Sequence, residues 1–239
     1  MEDEITFGVY IPSYKRYKRG VITGKLFENP KHVIRESQAQ QYIDAGFPNV
    51  ISVPDNEVRS YSRVYNWIVD NAEEDIVAII DDDVKSFSYR LDKNYEFNSV
   101  DTVQAEFERL AQIIYDLGIG VAFTTATAVP WGYTSEFRWS GIPGAFKIVN
   151  RSKVRAVMDT TLPKHVDIDY VLQELVYNRI CLNALYIVDN AYNDDSTNVS
   201  GSNYDSKMIS ASSDIMAARW GKYFSYDYKH NKPSILVKR

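Results

Sequence analysis

The order of apolar patterns along the chain predicts an α/β fold in which a central, mostly parallel sheet is flanked by helices. Two observations carry this expectation. Strand-like and helix-like segments alternate over residues 1–130, and the strand-like segments are short, β-branched runs rather than stretches with helical spacing. A third concerns the site: the run DIVAII ends in three consecutive aspartates, Asp81, Asp82 and Asp83, where a buried strand leaves the core. In open parallel sheets ligands bind outside such strand ends.

Taken in order, residues 5–11 (ITFGVYI) read as a buried strand stopped by Pro12, and residues 31–37 (KHVIRES) as a second. Residues 36–45 suit a helix starting at Glu36, with Gly46 placed to end it in the left-handed conformation, and 49–53 form the next strand. From 58 to 72, Val58, Tyr61, Val64, Tyr65, Ile68 and Val69 recur at helical spacing, which gives one buried face. The strand 75–80 follows. Asp101 and Gln104 read as a capping pair for a helix whose Val103, Phe107, Leu110, Ile114 and Leu117 share a face and which Gly118 ends. Residues 120–129 resume a strand.

The second half is less regular. Residues 131–150 mix aromatic residues with Gly and Pro, which suits an acceptor-side hairpin or loop wall. Residues 167–178 return to helical period and 184–189 to a strand. Residues 190–207 have almost no apolar content and read as a loop, expected to close as a lid over a bound ligand. No repeat or linker divides the chain, so residues 1–239 are expected to form one domain, with 1–130 as its nucleotide-binding half and 131–239 as its acceptor half and tail.

Composition narrows the function classes. The chain holds 239 residues, 45% hydrophobic, enough for a substantial core, and no apolar stretch approaches the roughly 20 residues needed to span a bilayer. An acidic start running straight into a strand is the wrong order for a secretory signal, so a cytoplasmic location is expected. The single cysteine, Cys181, excludes an intramolecular disulfide and a cysteine-rich zinc site. A net charge of −5 provides no global attraction for a polyanion. The local exception is the tail 220–239, where Lys222, Lys229, His230, Lys232, Lys238 and Arg239 are interleaved with aromatic residues; the bland alternative is that Trp220, Tyr223 and Phe224 pack the C-terminus on the core.

Adjacent carboxylates repel one another and need solvent, donors or a metal to stay ionised. An Asp cluster after a strand can simply cap a helix, but VKSFSY, which follows, has no helical period to cap. Carboxylates at alternate positions 81 and 83 can turn toward one point, with Asp82 pointing away, and hard oxygen ligands suit Mg²⁺ or Mn²⁺ holding a diphosphate.

With these motifs in view the sequence resembles the GT-A superfamily of nucleotide-sugar glycosyltransferases. VYIPSYKRY (9–17) is similar to its first strand and donor loop, residues 56–84 to the helix and strand of its D-x-D motif, and HVDIDYVLQEL (165–175) to the acidic motif that opens its catalytic helix. The chain departs from many relatives in having Tyr65 where they carry Arg before the residue matching Asn66, and Val166 where they carry Glu. The resemblance implies a nucleotide-diphosphate sugar donor, commonly a UDP-sugar, bound near Pro12, Ser13, Tyr14, Arg16, Glu36, Asn66, Asp81 and Asp82 and near Arg59 or Arg63. It implies a divalent cation on Asp83 and Asp81, with His230 as a possible third ligand, and Asp167 as the base that takes the acceptor proton, with Asp169 as the alternative. Asp169 could equally cap the helix.

The compact length, NWI at 66–68 and the ending RWGKYFSY resemble most the TET-associated glycosyltransferases, a largely phage-encoded group linked to hydroxymethylated bases in DNA. That implies DNA with a hydroxylated pyrimidine as acceptor, flipped into a rim of aromatic and basic residues such as Trp131, Tyr133, Arg138 and Trp139. Three other readings stay open. A GT-A enzyme acting on a glycan, protein or small molecule would share the donor half. A nucleotidyltransferase would normally show a Gly-rich loop after its first strand, where this chain has only Gly20, and a binding module would not need both acidic motifs.

Overall fold

A computed structural model of the chain describes residues 5–125, 134–192 and 206–237. Strand β1 (Phe7–Pro12) pairs in parallel with β2 (Lys31–Arg35) on one side and β4 (Ile76–Ile80) on the other, and β2 pairs in parallel with β3 (Val50–Val53). Between them lie helices α1 (Glu36–Asp44) and α2 (Tyr61–Asn71), whose crossovers let consecutive strands run the same way. Helix α3 (Val100–Asp116) leads to β7 (Val121–Thr125), α4 (Val166–Tyr177) to β10 (Leu182–Ala191), and α5 (Ser206–Trp220) to a small hairpin of β11 (Phe224–Asp227) and β12 (Lys232–Ile235).

The large sheet has the order β3-β2-β1-β4-β9-β7-β10-β5-β6, where β5 is Val84–Arg90, β6 Asn94–Phe97 and β9 Pro143–Asn150; β8 (Phe137–Arg138) adds to β10. The pairings make β3, β2, β1, β4, β7, β10 and β6 point one way and β9, β5 and β8 the other. Strand β9 threads between β4 and β7. Residues 131–150 therefore do not form a loop wall alone, because 143–150 is a central strand buried on both faces. The run VKSFSY, too, is a strand.

The pleat of β4 divides the core. Ile76, Ala78 and Ile80 pack with Phe107, Leu110 and Ile114 of α3 on one face, and Val77 and Ile79 pack with Tyr65 and Ile68 of α2 and Tyr170 and Val171 of α4 on the other. Gly46 and Gly118 follow α1 and α3 at φ 82° and 64°, as their positions in the sequence predict. The start of α3 differs from the expected capping pair: Ser99 occupies the cap position, and Gln104 bonds Glu108 one turn on. Among the described residues no helix is long and apolar enough to cross a membrane.

One glycine fixes how α4 meets the sheet. A Cβ on Gly120 would lie 2.1 Å from Glu174 Oε1, and the fully buried Glu174 accepts the backbone N–H groups of Arg155 and Ala156 at 3.1 and 2.9 Å. Gly120→Ala is expected to push this carboxylate off its donors and cost roughly 1–3 kcal/mol, the usual range for overpacking. Urea unfolding measures it, and an unchanged midpoint would show that α4 gives way freely.

Candidate active site

A cleft of about 940 Å³ opens over the ends of β1 and β4 and is walled by residues after β1, the segment before α2, the start of β9 and the entry to α4. Topology places it there: β1 and β4 are parallel neighbours whose chains both leave the sheet at this edge. Pro12, Ser13, Tyr14 and Arg16 line it from the loop after β1, Asp81, Asp82 and Asp83 from the end of β4, and Asp167 from the start of α4.

The three aspartates lie in a turn between β4 and β5, so the alternation of faces expected for an extended chain does not hold through Asp82 and Asp83. Thr23 pins the turn: its buried hydroxyl donates to the Asp81 carbonyl at 2.8 Å and accepts the Val84 N–H at 2.9 Å. Asp82 accepts from Ser13 Oγ and from Arg16, which also bonds Asp83 Oδ2 at 3.0 Å. The Tyr42 hydroxyl secures the same loop, 2.8 Å from Ser13 Oγ and accepting the Arg16 N–H at 2.9 Å. Thus Asp82 and Asp83 share one guanidinium. Asp81 stands apart, and among the described residues no donor hydrogen-bonds its carboxylate.

Lys147, on β9, is 3% exposed and lies 2.9 Å from Asp167 Oδ1. Its ammonium also donates to the Tyr61 hydroxyl at 3.4 Å. Burial alone would discharge it, but Asp167 and Asp81 hold the proton on and raise its pKa above the ordinary lysine value. Asp169, two residues on from Asp167, faces away from the cleft: it is fully buried and accepts from Arg219 at 2.7 Å, Trp220 Nε1 at 2.8 Å and Gln173 at 2.7 Å, tying α4 to α5. That set of donors fits a structural carboxylate.

The structure also separates the remaining candidates. Arg59 lines the cleft and Arg63 does not. Asn66 closes two hydrogen bonds with the backbone of Met158, at 2.9 and 3.0 Å, and Glu36 is an exposed residue in the first turn of α1; neither lines the cleft. His230 sits on the exposed turn of the β11–β12 hairpin, bonded to Asp227 at 2.7 Å, away from the aspartates' cleft. Arg138 and Trp139 belong beside the Cys181–Ala184 end of β10, whereas the cleft meets β10 at Asp189. The expected rim is not formed by these two. Trp131, Tyr133, Lys238, Arg239 and residues 193–205 of the expected lid fall outside the described residues.

Three cleft residues escaped the sequence reading. Arg35 stacks on Tyr14, with its guanidinium 4.2 Å from the ring centre, and donates to the carbonyls of Val58 and Arg59, so it shapes the turn that presents Arg59. Asp189 accepts from Thr124 at 2.7 Å beside the aspartate turn. Lys147 left one trace, a lysine inside the apolar run AFKIV.

The donor set fits a hard divalent cation. Burial pushes the Asp81 carboxyl from 3.8 up to about 8; Lys147 opposes this, and Asp83, Asp167 and Asp82 add to it. Asp81 with Asp83 would hold the ion, whose charge would favour the ionised form of both carboxylates. Among the described residues no three His, Cys, Asp or Glu side chains gather as a complete metal site, so nucleotide and water oxygens would complete the shell. Between pH 4 and 8 the folded chain keeps a proton on Asp81 that the unfolded chain has released, so stability falls as pH rises through that window. Asp81→Asn is expected to remove this slope and raise the metal-free melting temperature at pH 8 by a few degrees, about 1 kcal/mol or more. Thermal melts across pH test it, and parallel profiles for both proteins would refute it.

No protein-family profile matches the chain, and no curated protein matches it by sequence. Solved structures do match. The chain is similar to glucosyl-3-phosphoglycerate synthase from Mycobacterium tuberculosis in complex with Mn²⁺, UDP-glucose and glycerol 3-phosphate, at 12% identity and TM-score 0.55 over 98% of this chain and 88% of that one. The same synthase with Mn²⁺, UDP and glucosyl-3-phosphoglycerate gives 11% identity and TM-score 0.52, covering 98% and 89%. At such identities the likeness establishes the fold: this chain has the GT-A fold of nucleotide-sugar glycosyltransferases.

Proposed function

We propose that the chain is a metal-dependent glycosyltransferase that moves a sugar from a nucleotide-diphosphate sugar, UDP-sugars first, to an acceptor hydroxyl. The observation that carries this reading is one cleft lined together by the loop after β1, the aspartate turn and a partly exposed carboxylate, Asp167. Tyr14, stacked with Arg35, offers a flat face to a nucleobase. Arg16 can turn from the aspartates to a diphosphate without leaving its loop. A divalent cation bound at Asp81 and Asp83 would stabilise the charge that grows on the departing diphosphate. Asp167 accepts the proton from the attacking hydroxyl as the new glycosidic bond forms.

For the acceptor we infer a hydroxymethylated pyrimidine in DNA, supported by the sequence resemblance and by an acceptor side in which Ile142, Pro143, Leu162 and Pro163 offer apolar surface to a planar ring. A small phosphorylated hydroxy acid is the second reading, favoured by Lys164 and Arg59 in the same cleft and by the acceptors named for the similar structures. Incubation with radiolabelled sugar nucleotides and Mn²⁺, offering hydroxymethylated DNA, unmodified DNA, 3-phosphoglycerate and glycerol 3-phosphate, separates them. Label on modified DNA alone supports the first reading and label on a phosphoglycerate the second. Neither transfer nor donor hydrolysis with any sugar nucleotide would refute the proposal.

A further inference from the structure

Lys147 occupies a position that the sheet reserves for apolar residues. It pairs across β9 with Ile79 of β4 and Phe123 of β7, and its same-face neighbour on the strand, Val149, belongs to the core layer under α2 and α4. A Leu or Met there would continue that layer without the cost of burying a charge. The lysine instead reaches Asp167, at the entry to α4.

Its contacts define the task. Asp167 Oδ1 is buried against the Lys147 ammonium, while the Asp167 side chain as a whole is 40% exposed, so the oxygen left to the cleft is Oδ2. Tyr61 Oη holds the ammonium from the α2 side, and its ring lies 5.7 Å from Nζ. Resting on the glycosyltransferase reading above, we propose that Lys147 is a positioning residue: it fixes one oxygen of Asp167 so that the other meets the acceptor hydroxyl. Misplacing a catalytic group by about 1 Å can cost about 10²-fold in rate, and loss of a supporting contact typically costs about 10–100-fold.

The test compares Lys147→Met and Lys147→Arg, each alone and combined with Asp167→Asn, with calorimetric binding of UDP and Mn²⁺, donor hydrolysis, and kcat and KM for transfer as readouts. Lys147→Met is expected to bind UDP with Mn²⁺ within about 3-fold of the wild type and to keep its KM for acceptor, with kcat down about 10–100-fold. Lys147→Arg, which keeps the charge and so the fold, is expected to fall between the two. The Lys147→Met, Asp167→Asn double variant should be no slower than Asp167→Asn alone, because the lysine acts through that carboxylate. A wild-type kcat in both single variants, or losses that multiply in the double variant, would overturn the proposal. A wild-type protein that binds no UDP and turns over no sugar nucleotide would instead refute the glycosyltransferase reading and take this one with it.

Discussion

Asp167→Asn is expected to lower sugar transfer by roughly 10²–10⁴-fold, the range for losing a general base, while binding of UDP and Mn²⁺ survives. Asparagine keeps the shape of the side chain and can still set an oxygen against the Lys147 ammonium, but it cannot take a proton from an attacking hydroxyl. The position also carries a stability term that the assay must hold apart from catalysis. His165, with φ 66°, is the cap residue of α4, and Asp167 lies in the first turn, where its charge meets the helix dipole. The helix-dipole part of that charge is worth under about 1 kcal/mol, but Asp167 is also the ion-pair partner of the buried Lys147 ammonium, so the variant is expected to melt lower by roughly 1–3 kcal/mol while still folding. A transfer assay beside calorimetry and a thermal melt checks the three quantities together. Transfer near the wild-type rate would remove Asp167 as base. Asp169 would not inherit the role without a rearrangement, because its three donors hold it inside the protein.

The second large effect is expected at Asp83. Asp83→Asn should cost at least about 10²-fold in transfer and abolish the strengthening of UDP binding by Mn²⁺, since it removes one of the two carboxylates placed to hold the cation. Asp82→Asn should act differently. Asp82 is the anchor of Ser13 and Arg16, so its loss loosens the donor loop and raises the KM for donor, while dependence on Mn²⁺ persists. The sequence also predicts the larger loss at Asp83, but on the ground that Asp82 points away. The folded turn replaces that reason: Asp82 points to the donor loop. Titration of UDP binding against Mn²⁺ for both variants decides it, and equal loss of metal dependence would contradict the assignment.

The sequence by itself determined the layered α/β fold of the first half, because its strands are β-branched runs and its helices carry one apolar face, and both patterns are set by residues close together in the chain. It also marked the aspartate turn and Asp167, whose charge stands out against apolar surroundings. It did not show β9 or α5. Strand β9 lies in a Gly- and Pro-containing stretch and becomes a strand by pairing with β4 and β7, which are distant in sequence. Helix α5 is built from small and polar residues with little amphipathic contrast, and it buries Ser212, Ser213 and Met216 only because α4 is there to receive them. The division of labour between Asp167 and Asp169 was likewise decided by tertiary structure. Two residues apart on one helix, their side chains diverge, so one faces the cleft and Lys147 while the other faces Arg219 and Trp220 from α5. Local pattern encodes which residues can be charged or buried, but the partners that give each carboxylate its role come from segments 20 to 51 residues away, and only folding brings them together.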